Sequence, residues 1–129
     1  MTYHFSKTVD MPFDAAVTAT TAALKNHGFG VLTQIDVKDT LQKKIGADFR
    51  PYLILGACNP KLAYQALTLE DKIGTMLPCN VVVQQRDGGK VEISAVDPVA
   101  SMAAIENPQL GAVANQVREM LKQVVAEIA

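Results

Sequence analysis

Two cysteines head the inventory of reactive groups, and each is followed by asparagine: Cys58-Asn59-Pro60 and Cys79-Asn80. A carboxylate placed the same way before proline, Asp97-Pro98, completes the set. Thiols offer soft contacts, nucleophiles or metal ligands, the two amides donate and accept hydrogen bonds, and Asp97 accepts them. Metal chemistry lacks partners. The cysteines form no C-x-x-C pair, the only histidines are His4 and His27, and four ligands for a structural zinc cannot be assembled, so no metal site is expected. A cysteine nucleophile needs a histidine base, and the chain places none beside either thiol. Gly28-Phe29-Gly30 precedes a strand pattern rather than a helix, the wrong context for a dinucleotide fingerprint, and there is no G-x-S-x-G elbow. Catalytic residues and cofactor therefore stay unassigned.

The elements that must hold these residues follow from spacing. Residues 2–9 read as a first strand. Pro12 opens a helix whose Phe13, Val17, Thr20, Leu24 and His27 fall at helical spacing up to Gly28. Phe29 to Ile35 reads as a strand, Asp36 caps a short helix to Ile45, and Gly46 closes it. Pro51 to Cys58 is an apolar run of buried-strand type, and Asn59-Pro60 starts a helix carrying Leu62, Ala63, Ala66 and Leu67. After a bend at Lys72–Leu77 come the strand Val81–Arg86, the turn Asp87-Gly88-Gly89-Lys90 and the return strand Val91–Val96. Asp97-Pro98 and Asn107-Pro108 open two more helices. The last puts Leu110, Val113, Val117, Leu121, Val124 and Ile128 on one core-facing stripe.

Taken singly, Asn59, Asp97 and Asn107 read first as helix caps. Taken together, they turn on strand direction. If the strands ending at Cys58 and beginning at Cys79 pair antiparallel, Cys58, Asn59, Cys79, Asn80 and Asp97 share one rim of the sheet. A parallel crossover sends the cysteines to opposite ends. Read with Gly88-Gly89 as a two-residue loop, the hairpin sets Asn80 opposite Asp97, Val82 opposite Ala95 and Gln84 opposite Ile93. On the shared rim, helix starts at Pro60 and Pro98 favour an anion or a Cys58 thiolate. Burial beside Leu55 and Ala57 pushes that thiol the other way.

Composition bounds the rest. The 129 residues are 49% hydrophobic and 19% charged, one domain over 1–129 with material for a core. Twelve basic against thirteen acidic residues, with no Trp, give no footprint for nucleic acid or an anionic membrane surface. No apolar run approaches the roughly 20 residues of a membrane span. The amino terminus does not read as a signal peptide, so a cytoplasmic location is expected, with the thiols reduced.

The runs Gly28-Phe29-Gly30-Val31-Leu32, Arg50-Pro51-Tyr52 through Gly56-Ala57-Cys58-Asn59-Pro60, Leu77-Pro78-Cys79-Asn80 and Val96-Asp97-Pro98 closely resemble the family catalogued as domain of unknown function 302. The resemblance implies an α+β domain of the TATA-binding-protein-like type, with strand–helix–four-strand–helix order on an antiparallel sheet, and a homodimer. It brings no activity. The function expected is a homodimer binding a small, anionic molecule at Cys58, Asn59, Cys79, Asn80 and Asp97. The alternatives are redox or sulfur-transfer chemistry on the two thiols, and a structural dimer module without a ligand.

Overall fold

The computed structural model describes residues 2–128. Five strands, β1 (His4–Val9), β2 (Gly30–Asp36), β3 (Tyr52–Cys58), β4 (Cys79–Gln85) and β5 (Val91–Val96), form one sheet in the order β1-β5-β4-β3-β2. Every neighbouring pair is antiparallel. The helices are α1 (Phe13–Asn26), α2 (Val37–Ile45), α3 (Pro60–Leu69), α4 (Pro98–Ser101) and α5 (Pro108–Glu127), with a 3-10 segment at Asp71–Met76. This is an α+β domain with its core between one sheet face and the helices.

Local chemistry fixes most boundaries. Asp36 caps α2 by accepting from Asp39 N at 2.9 Å, and Gly46 ends it in the left-handed conformation at φ 66°. Asn107 caps α5 through Gln109 N and Leu110 N. The α5 stripe of Leu110, Val113, Val117, Leu121, Val124 and Ile128 is buried throughout. With α1 it covers the sheet face that carries Val81, Val83, Val91, Ile93 and Ala95, all fully buried.

The hairpin register differs from the two-residue reading. Val81 lies opposite Ala95, Val83 opposite Ile93 and Gln85 opposite Val91. Arg86 N donates to Lys90 O at 2.7 Å, so three residues, Asp87–Gly89, make the turn. Gly88 (φ 72°) and Gly89 (φ 76°) both take the left-handed conformation that a residue with a Cβ resists. A one-residue slip moves every side chain to the other face. The two-residue register sets Val82, Ala95 and Ile93 on one face and Val81 and Val83 on the other. The observed one gathers Val81, Val83, Val91, Ile93 and Ala95 under the helices, and hydrophobic burial outweighs the preference for the shorter loop.

Edge strand β2 carries an irregularity. Val31 faces Ala57 while Thr33 faces Gly56, so Leu32 is the extra, bulged residue. Thr33 and Pro78 close over Gly56, where an added Cβ would overlap Thr33 Oγ1 and stand 2.7 Å from Pro78 Cγ. That close approach holds β2 and the segment entering β4 against the end of β3, where the cysteines lie.

Candidate functional site

The antiparallel pairing of β3 and β4 brings Ala57 opposite Cys79, which leaves Cys58 and Asn59 at the same sheet end. There a cavity of about 350 Å3 opens between the strand ends, α3, the 3-10 segment, α4 and α5. Ala57, Cys58, Asn59, Pro78 and Cys79 form its sheet wall. Leu62, Ala63, Ala66 and Leu67 of α3 line one side, and Leu110, Val113, Ala114 and Val117 of α5 another. Phe29, Leu32, Gly74, Leu77, Pro98 and Met102 close the remainder. No charged side chain lines it. Among the described residues, Cys58, Asn59 and Cys79 are the only lining residues with a thiol or amide side chain, and the surface exposed to the space is almost wholly apolar.

Each predicted residue now has a position. Cys58 ends β3, half-buried, and Cys79 opens β4, buried; both thiols are free and both residues line the cavity. Burial among apolar neighbours pushes the Cys79 thiol from 9.0 up to about 11, and the nearby Cys58 adds to the effect. Asn59 Oδ1 caps α3 by accepting from Leu62 N at 3.2 Å. Its Nδ2 lies 3.0 Å from where a Cβ on Gly28 would sit, and Gly28 takes φ 83°. Thus Gly28 both closes α1 and leaves room for the amide. Asn59 Nδ2 itself makes no hydrogen bond among the described residues.

Asn80 and Asp97 stand apart from this group. Asn80 is exposed on the opposite sheet face, in a shallow groove with Tyr52, Arg86, Glu92 and Ser94. Side chains alternate along a strand, so the residue after a core-facing Cys79 must point away from it. Asp97 is buried, but its oxygens are committed: Oδ1 accepts from Val99 N at 3.0 Å and Oδ2 from Arg118 Nε at 3.2 Å. It holds the start of α4, and the following Pro98 reaches the cavity. Nor does α4 supply the anion-attracting helix start expected there, because it is a single turn, Pro98–Ser101. Among the described residues, no three His, Cys, Asp or Glu side chains are grouped to hold a metal ion. No helix of the described residues is long and apolar enough to cross a membrane.

The family model for Domain of unknown function DUF302 matches residues 5–128. The chain belongs to this family. Among solved structures, the crystal structure of the uncharacterized conserved DUF302 protein from Bacillus stearothermophilus is similar over 100% of both chains, at 30% identity and a TM-score of 0.92. No curated protein matches. Cys58, Asn59 and Cys79 of this DUF302 chain line the cavity, yet most of its wall is apolar side chains that sequence reading assigns to the core. The signal available for the space itself is the run of small residues, Ala63 and Ala66 on α3 and Ala114 on α5, where two helices meet.

Proposed function

We propose that this DUF302 domain binds a small apolar molecule in the cavity between α3, α5 and the β3 and β4 ends. The observation that carries this is the pairing of a 350 Å3 space with a wall that bears no charge. Ligand cavities start at about 300 Å3 and are lined mainly by apolar groups with few polar ones. An anion is the poorer fit, since a buried charge needs a partner and no cation faces the space. Thiol exchange between Cys58 and Cys79 is disfavoured because burial keeps the Cys79 thiolate scarce near neutrality.

A thermal-shift titration with butylbenzene tests the reading. A ligand at about one hundred times its Kd adds about 2.7 kcal/mol of stability. The expected result is a concentration-dependent rise in Tm that disappears in Ala66→Phe, whose ring occupies the space. A rise of equal size in Ala66→Phe, or none in either protein, counts against it.

The homodimer has its own support. Leu32 is 67% exposed and Leu67 43% exposed, and both also line the cavity, so they form part of its mouth. We assign this rim to contact with a second copy, which would cover apolar surface and close the opening. Sedimentation velocity should show a dimer for the native chain and a monomer for Leu32→Asp/Leu67→Asp. A native chain that sediments as a monomer overturns the assignment.

A further inference from the structure

The sheet has two edges, and the chain treats them differently. At one edge, β1 carries Lys7, whose Nζ donates to Ala126 O at 3.1 Å, and α5 packs against the strand. Just before β1, Tyr3 O accepts from Asp97 N at 2.8 Å. A lysine and a covering helix are the usual protection of a strand edge. At the other edge, β2 has no Lys, Arg or Pro, and among its residues only Val31 is even half-buried. Leu32 is 67% and Ile35 48% exposed. The helix that follows is equally bare. No residue of α2 is buried, and Ile45, at the end of its Val37, Leu41, Ile45 stripe, is 73% exposed. A helix this short is marginal in water without tertiary packing.

An unpaired strand edge presents N–H and C=O groups in the pattern another strand needs, and about a two-fold axis β2 pairs with itself antiparallel. The bulge at Leu32 confines a regular ladder to Thr33–Asp36. Centred between Gln34 and Ile35, that ladder sets Thr33 opposite Asp36 of the second copy and Gln34 opposite its Ile35. Asp36 is the one charged residue of β2, so no like charges meet. Strand direction also decides where α2 goes. β2 runs from Gly30, opposite Cys58 at the cavity end, to Asp36, the cap of α2. In an antiparallel pair, α2 of the second copy therefore starts at the cavity end of the first, next to Leu32 at the mouth. We infer that two copies of this chain join edge to edge through β2 in one continuous sheet, with α2 of each beside the cavity mouth of the other. The inference rests on the dimer assigned above and names its geometry. The outer edges of the joined sheet are both β1, already protected, so the assembly closes as a pair and does not extend into a fibre.

Gln34 and Ile35 are exposed in the single chain, so Gln34→Lys/Ile35→Lys should fold, while the pairing sets like charges opposite each other twice over. Sedimentation velocity should give a dimer Kd at least about ten-fold weaker for this variant than for the native chain. Amide hydrogen exchange of the native chain, read above and below its dimer Kd, should slow at alternate amides of Thr33–Asp36 at the higher concentration and stay unchanged in β1. A native dimer whose β2 amides gain no protection overturns the edge pairing and leaves the rim contact standing. So does a Gln34→Lys/Ile35→Lys chain that dimerises as tightly as the native one. A native chain that stays monomeric at every concentration removes both.

Discussion

In the folded native chain, Cys79 should react with iodoacetamide, followed site by site by mass spectrometry, at least about ten times more slowly than a small free thiol at pH 7. The factor follows from the thiolate population. Burial, with the neighbouring Cys58 adding to it, raises the Cys79 thiol from 9.0 to about 11; each unit lowers the reactive fraction about ten-fold, and the greater nucleophilicity of a more basic thiolate offsets about half of that on a logarithmic scale. Steric shielding of a buried sulfur can only slow it further. The rate should climb about ten-fold per pH unit through the alkaline range until titration is complete. The shift also links to stability. The folded chain holds the proton up to about 11 while the unfolded chain releases it near 9.0. This contribution is fully present below the unfolded pKa and is lost as pH rises from there through the folded one. Its size is on the order of 3 kcal/mol, from about 1.4 kcal/mol per unit. Urea titrations at pH 8 and in the alkaline range, compared with Cys79→Ala, isolate it from other groups. A Cys79 as reactive as a free thiol in the folded chain, or an alkaline stability loss that Cys79→Ala retains in full, would falsify the buried-thiol description.

Much of the fold was legible in the residues because local signals and burial agree. Asp36 and Gly46 bracket α2, Asn59 and Asn107 cap α3 and α5, and the α5 stripe is buried where its spacing puts it. Strand direction was not legible from the pattern alone, since the segment between Cys58 and Cys79 can serve a parallel crossover or an antiparallel return. The resemblance supplied the antiparallel arrangement, and the register shows it. The hairpin slipped by one residue because Asp87-Gly88-Gly89-Lys90 suits both loop lengths, and only the packing of Val81, Val83 and Ile93 chooses. That slip matters little for the cysteines but decides the face of their neighbours. The candidate site was half visible. Thiols and amides stand out in a sequence, whereas Leu110, Val113 and Val117 look alike whether they meet another side chain or an open space.

Asp97 shows how a residue marked as a ligand contact can be needed for the frame instead, and Asp97→Ala should cost about 3 kcal/mol. Two losses add. Without its Oδ1, Val99 N at the start of α4 has no capping partner, a loss typically of about 1 kcal/mol. Without its Oδ2, the Arg118 guanidinium, held at 3.2 Å and stacked 5.4 Å from the centre of the Phe5 ring, loses its buried counterion and keeps only the exposed Glu119 carboxylate at 3.1 Å. A hydrogen bond to a charged group contributes about 1.5–3 kcal/mol when buried, and the 31% exposure of the Arg118 side chain puts this one toward the lower end. Asp97→Asn separates the two losses, because Asn caps as well as Asp does but brings no charge. It should recover about 1 kcal/mol of the loss. Urea unfolding would read this as a fall in midpoint at unchanged slope, larger for Asp97→Ala than for Asp97→Asn. Since Asp97 does not reach the cavity wall, the folded Asp97→Asn protein should bind butylbenzene as the native chain does. An Asp97→Ala protein as stable as the native one removes the framing role. An Asp97→Asn protein that is fully stable yet fails to bind returns Asp97 to the ligand.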